Sequence, residues 1–310
     1  MKNFLNGFGW RVMCRLAAFA GLILLFTSCI EFEGQTLTYR YDRENDLLLC
    51  FQVYENIHHG ASPPKSKFQD ENPSEEEKSQ LESVIAGQRT FLFDNWLLEY
   101  NREEHIELLE KSKGDLAEAK PGERTAIQRF IKLNEDILDS VSVKNGGFYL
   151  NDNNQLCGYQ YVTVSNASKI IEGLNEVWPT HLQKGLLARD GFDEADLKKL
   201  HNAIDEKKWI QLDGNQFRVM VASEKPPSME CEDGSPGCNI VDNFEIKYEK
   251  PLMELVVGQK NQIISELQAH PSSIVRSNLI KHVKETYGIE ENVPIDKLRD
   301  AFLKTGIIPE

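Results

Sequence analysis

Apolar and polar positions change period several times along the chain. Residues 35–41 (QTLTYRY) alternate, 42–46 (DREND) form a polar turn, and 47–57 (LLLCFQVYENI) are rich in strand-forming types, which together predict a β-hairpin over 35–57. Residues 58–73 hold His58-His59-Gly60, Pro63-Pro64 and Pro73 among charged residues, the composition of a surface linker. Ser74 and Glu77 have the spacing of a capping box, and Leu81, Val84 and Ile85 keep one face apolar, so a helix starts at Ser74. Residues 91–100 (FLFDNWLLEY) are hydrophobic nearly all round, the pattern of a segment buried on more than one side. The run 117–124 (AEAKPGER) breaks the pattern. Ile127, Phe130, Ile131, Ile137 and Leu138 then restore helical spacing to Ser140, which predicts two antiparallel helices joined by a Pro-Gly turn.

The second half repeats the alternation. Residues 141–164 return to a period of two around Asn145-Gly146 and the polar cluster 151–154, predicting two or three short antiparallel strands. Ser165 or Asn166 caps the next helix, with Pro179 forcing a kink or a break, and a further helix follows Asp193 with Phe192 and Leu197 as its hydrophobic staple. Trp209 to Val221 reads as a hairpin on Asp213-Gly214, and 239–257 as another strand or two with Pro251 at an edge or bulge. From Gly258 onward the chain reads as helical, over 263–267, 273–287 and 295–305, the last two ended by Gly288 and Gly306. The prediction is an α+β architecture in which antiparallel hairpins form one twisted sheet packed against helices. A main domain covers 29–257, with helices in 74–140 and 166–205, a hairpin over 141–164 and strands in 209–257; a C-terminal helical cap covers 258–310.

The first 28 residues stand apart. Lys2, Arg11 and Arg15 precede an apolar run from Leu16 to Phe26 that ends in Thr27 and Ser28, the order of a secretory signal. At roughly 1.5 Å per residue the run is too short to span a hydrocarbon core of about 30 Å. Its end, Leu25-Phe26-Thr27-Ser28-Cys29, resembles the lipobox of bacterial lipoprotein signal peptides, with Phe26 where the family usually carries leucine. The resemblance covers the first tenth of the chain. It implies cleavage before Cys29, lipidation of Cys29 with palmitate-type acyl chains, and attachment to a membrane of the bacterial cell envelope. An ordinary cleaved signal and a short uncleaved anchor are the other readings of the run. One acyl chain binds only marginally, at about 0.8 kcal/mol per buried methylene, whereas the implied diacylglyceryl group supplies two and holds lastingly.

Charge narrows the partners. Three basic residues and no acidic ones precede Cys29, so of 35 basic and 49 acidic side chains the remainder keeps 32 against 49, a net charge of −17. Nucleic acid is a poor partner for such a surface, and anionic headgroups repel it, which leaves the lipid to hold the membrane. Residues 273–305, a loose helix-turn-helix pattern, carry six basic and five acidic side chains, too balanced for a DNA reader. With Cys14 in the leader and Cys29 assigned to lipid, Cys50, Cys157, Cys231 and Cys238 enter a compartment that can be oxidising. The turn-rich segment Cys231-Glu-Asp-Gly-Ser-Pro-Gly-Cys238 reads as a disulfide loop, and Cys50 and Cys157 as separate buried thiols.

Candidate chemistry is sparse. The sequence contains no H-E-x-x-H, G-x-S-x-G or phosphate-binding glycine motif, and no catalytic residue, metal ligand or cofactor is assigned. His58-His59 is the one histidine cluster, and adjacent strand residues point to opposite faces, which disfavours a shared metal. His105, His201 and His282 fall on predicted helices beside charges and read as solvated. The acidic run 190–196 and the asparagine turn 151–154 read as a helix start and a hairpin loop before calcium sites. Asn166-Ala-Ser168 matches a glycosylation sequon, accidental behind a bacterial signal. Phe148, Tyr149, Tyr159 and Tyr161 read as core before ligand platform. The functional expectation is a tethered, non-enzymatic envelope module that binds or assembles with an envelope protein. The alternative is a tethered hydrolase or small-solute binder whose site joins residues distant in sequence.

Overall fold

Strand 47–55 (LLLCFQVYE) is apolar at nearly every position instead of alternating, the signature of a strand covered on both faces. The computed structural model describes residues 30–59, 73–90, 100–186, 193–205, 209–223, 239–241, 244–259, 265–270 and 279–309. Cys29, the linker beyond His59, residues 91–99 and the Cys231-to-Cys238 loop lie outside them. In chain order the elements are β1 (Ile30–Glu31), β2 (Gly34–Asp42), β3 (Leu47–Glu55), β4 (His58–His59), α1 (Glu75–Ile85), α2 (Arg102–Glu118), α3 (Pro121–Ser140), β5 (Val141–Leu150), β6 (Leu156–Ser165) and α4 (Ala167–Leu186). They continue with α5 (Glu194–Asp205), β7 (Ile210–Asp213), β8 (Gln216–Ala222), β9 (Asn239–Val241), β10 (Phe244–Glu249), β11 (Leu252–Val257), β12 (Ser265–His270), α6 (Ile280–Thr286) and α7 (Ile295–Thr305). The class is α+β, as the periodicity predicts.

Among the described residues the strands form three antiparallel sheets where one was predicted: a pair β1-β4, a four-stranded sheet β10-β11-β8-β7 and a six-stranded sheet β5-β6-β3-β2-β12-β9. On one face of the large sheet, Leu37, Tyr39, Leu48, Cys50, Val143, Val162 and Val164 pack on Phe130, Leu133, Ala167, Ile170 and Val177 of α3 and α4. On the other, Leu49, Phe51, Val53, Tyr159 and Tyr161 lie under Phe302 and Leu303 of α7. This double cover explains the apolar run in β3. The four-stranded sheet joins the first layer through Phe217 and Val257, with Tyr39 Oη donating to the Asn215 carbonyl at 2.7 Å and the Tyr41 amide to Asn215 Oδ1 at 2.7 Å.

Several local readings change. Residues 265–270, within the segment expected to be helical, form β12, which pairs with β2 and brings the last third of the chain into the large sheet. A neighbouring strand edge outweighs weak local helical spacing there. Asn145-Gly146 is a bulge inside β5 and not a turn, because the register against β6 shifts between residues 145 and 147 and the loop falls at 151–155. The helix α4 continues through Pro179, and Pro251 occupies the two-residue turn between β10 and β11. His58-His59 forms β4 and not linker, with Ile30 opposite His59 and Glu31 opposite His58.

The Ser74–Glu77 capping box is present: Ser74 Oγ accepts from the Glu77 amide, and Glu77 Oε2 accepts from the Ser74 amide at 2.7 Å. The start of α4 is held from a distance. Asp46, at the tip of the first hairpin, accepts from the Ser168 amide at 2.9 Å, from Ser168 Oγ at 2.6 Å and from Tyr41 Oη at 2.8 Å. Burial alone would raise this carboxyl, but the Ser168 and Tyr41 bonds outweigh it and hold its pKa below the ordinary value of 3.8. A carboxyl depressed in the folded state stabilises the fold above its unfolded pKa and loses that contribution as pH falls through the folded one. We therefore expect Asp46→Asn to be less stable than the native protein near neutrality and the gap to narrow as pH falls below about 4. Thermal melts between pH 7 and pH 3 measure the gap, and a gap independent of pH would contradict the assignment.

Candidate functional site

Two of the most deeply buried polar residues described, Gln52 and Gln160, belong to a layer of carboxamides across the large sheet. Register places Gln52 of β3 opposite Gln160 of β6, and Gln160 opposite Asn145 of β5, so three amides lie side by side on one face. One flanking row is apolar, with Cys50, Val162 and Val143; the other holds Tyr54, Gly158 and Phe148, with Gln35 of β2 opposite Tyr54 at its end. The layer thus separates the main core from a second cluster in which Ile30, Phe32, Tyr54 and Ile57 pack on Leu81 and Val84 of α1, on Val283 of α6 and on Leu279 just before it. Gln52 and Gln160 are both 0 % exposed.

Hydrogen bonds link the layer internally. Tyr54 Oη donates to Gln52 Oε1 and lies 3.3 Å from Gln160 Oε1, while Gln160 Nε2 donates to the Arg89 carbonyl at 3.3 Å. Gln52 Nε2, Gln35 Nε2 and Asn145 Oδ1 are buried with no partner among the described residues. A buried amide N–H without a partner costs about 1–3 kcal/mol, so the layer holds unused donors beside an unused acceptor. Carboxamides hydrogen-bond without exchanging protons near neutral pH, which suits the layer to positioning and recognition more than to acid–base chemistry. Gln52→Leu, which removes an unpartnered donor at the expense of one bond from Tyr54, is expected to raise stability by about 1 kcal/mol in equilibrium denaturation. A loss of that size would show that the amide is satisfied.

The residues singled out from the sequence are mostly engaged elsewhere. His58 is buried, and its Nδ1 donates to the Asn56 carbonyl at 2.6 Å. His105 is not solvated as expected: it stacks on Tyr100 with ring centroids 5.6 Å apart and bonds Asn134 Oδ1 through Nδ1 at 2.9 Å, and burial holds its pKa below the ordinary 6.5 against the opposing effect of that bond. His201 is exposed, and His282 is half-buried beside Tyr287. Asp193 and Asp196 cap α5 reciprocally, and Lys250 lies 2.9 Å from Asp196 and holds its carboxyl below the ordinary value. Asn151 Oδ1 accepts from the Asn153 and Gln155 amides at 3.0 and 2.9 Å, which closes the β5-β6 loop. Ser168 of the sequon is the Asp46 partner described above.

Phe148, Tyr159 and Tyr161 are buried, as the core reading predicts. Burial, with the Glu290 carboxylate as a lesser cause, pushes Tyr159 up to about 12. Cys50 and Cys157 are free and buried, and desolvation raises both thiols, which keeps them protonated. Among the described residues no group of three or more His, Cys, Asp or Glu side chains could hold a metal ion, and no helix is long and apolar enough to cross a membrane.

Comparison with family models, with curated proteins and with solved structures gives no match to this chain.

The amide layer escaped sequence reading, although a signal for it exists. Gln52 and Gln160 are the polar residues inside strand stretches (LLLCFQVY, 47–54, and LCGYQYV, 156–162) that are otherwise apolar on both faces. Only the register shows that they meet.

Proposed function

We propose that the protein is a lipid-anchored component of a bacterial cell envelope, with acyl chains on Cys29 and the α+β body acting as a non-enzymatic binding or assembly module. The observation that carries this reading is the absence of a spacer between the lipid acceptor and folded structure. Cys29 follows the lipobox-like segment in sequence, and the next residue, Ile30, is 2 % exposed, paired with His59 and packed in the α1-α6 cluster. A body tied so closely sits at the headgroups, with α1 and α6 nearest the anchor, instead of ranging on a flexible stalk. Its charge of −17 keeps it off anionic lipid and leaves attachment to the acyl chains.

The non-enzymatic part rests on where buried ionisable groups go. Glu77 caps α1, Asp136 binds Lys169 and Lys132 at 2.7 and 3.1 Å, Asp196 caps α5, and His58 donates to a backbone carbonyl. Each has a structural task. The test is capture from detergent-solubilised membranes with the native chain as bait and resin without bait as control. Recovery of a defined envelope protein by the native chain supports the module reading, and recovery of nothing above the control contradicts it.

A further inference from the structure

The four-stranded sheet ends in two edges that the fold treats differently. At β7 the edge is closed by a side chain: Asn175 of α4 donates to the Ile210 carbonyl at 2.7 Å and accepts from the Ile210 amide at 2.9 Å, imitating a neighbouring strand. At the other edge, β10 pairs only with β11 among the described residues. There Glu245, Lys247 and Glu249 are exposed, and Ile246 and Tyr248 half-buried. An open strand edge is a template for another strand.

We propose that β10 docks a second copy of this chain, in an antiparallel two-fold pairing centred on Ile246 that joins two four-stranded sheets into one of eight strands. Charge selects both the occupant and the register. Residues directly opposite in such a pair share a face, and with Ile246 on the axis Glu245 of each copy stands opposite Lys247 of the other. The acid–x–base pattern is therefore its own complement when read antiparallel, as an isologous contact requires. Centring on Lys247 sets Glu245 against Glu249 and lysine against lysine. Centring on Tyr248 also opposes unlike charges, but it overlaps only three strand residues, 247–249, against five, 244–248. Either phase of hydrogen bonding along β10 serves, because the axis residue can be a bonded or a non-bonded pair. In the pairing centred on Ile246 the Ile246 side chains meet on the same face as Met253, Leu255, Val219 and Val221, so the half-buried apolar face runs unbroken through the contact.

The proposal stands on this edge alone and does not depend on lipidation. It is tested by sedimentation velocity on the full chain in non-ionic detergent. The native chain should sediment as a dimer. Lys247→Glu, which turns both cross-strand pairs repulsive, should raise the dissociation constant about tenfold or more. The double variant Glu245→Lys with Lys247→Glu gives unlike pairs with no like-charge pair only in the register centred on Ile246, and it should recover the dimer. A native chain that stays monomeric, a Lys247→Glu chain that dimerises as well as the native one, or a double variant that remains monomeric would overturn the proposal. So would recovery of β10 engaged by a different protein.

Discussion

Truncating Phe302 to alanine is expected to lower the unfolding free energy by about 3–5 kcal/mol, the range for removing a fully buried aromatic ring. Phe302 is 0 % exposed and meets Tyr161 edge to face with centroids 4.9 Å apart. Leu303 beside it is equally buried, and the two cover Leu49, Phe51 and Val53 of the central strand. The helix is further fixed at its end: Arg40 Nη1 donates to the Leu303 carbonyl at 2.8 Å and the Lys304 carbonyl at 3.0 Å, and Gly306 ends it at φ 70°. Loss of the ring leaves a cavity over the sheet that the anchored helix cannot collapse to fill. Ile307, 71 % exposed just beyond the helix, is the control, and its change to alanine should stay within about 0.5 kcal/mol. Chemical denaturation measures both. A Phe302→Ala loss below about 1 kcal/mol would show that α7 does not roof the sheet.

Gly87→Ala should rank next, at about 2–4 kcal/mol, through two independent causes. Gly87 has φ 69°, a conformation that alanine adopts only at a cost. It also closes the end of α1: the Gly87 amide donates to the Val84 carbonyl at 3.0 Å and the Gln88 amide to the Ser83 carbonyl at 2.9 Å. A Cβ at Gly87 would lie 2.4 Å from the Val143 carbonyl oxygen, a backbone atom of β5 that cannot swing aside. Strain and collision therefore add, and α1 would have to move off the sheet. A contrast is available at Gly114, where nothing lies within 4 Å of an added Cβ and alanine should be neutral or slightly stabilising. Equal melting temperatures for Gly87→Ala and Gly114→Ala would contradict the close approach of α1 to β5.

What the sequence made legible follows from how local each signal is. The capping box at Ser74, the Gly306 stop of α7 and the 35–57 hairpin depend on residues a few positions apart, and the structure contains all three. The misread elements depend on distant partners. β12 is a strand because β2 offers it an edge more than 200 residues away in sequence, and Asn145-Gly146 is a bulge because Tyr159 covers Gly146, where an added Cβ would lie 2.0 Å from its ring. His105 carried the same ambiguity: charges beside it indicated solvent, but Asn134 from the antiparallel helix supplies its partner. The amide layer is the extreme case, since Gln52, Gln160 and Asn145 meet only through the pairing of three strands.

In the proposed attachment, anchor and body meet at the bond between residues 29 and 30, where intact mass gives the most direct measurement. For protein recovered from membranes, the native polypeptide is expected to begin at Cys29 and to be heavier than its sequence by a diacylglyceryl group, and the Cys29→Ser chain to show no such gain. A native polypeptide that begins at Met1 with the mass of its unmodified sequence would contradict the attachment.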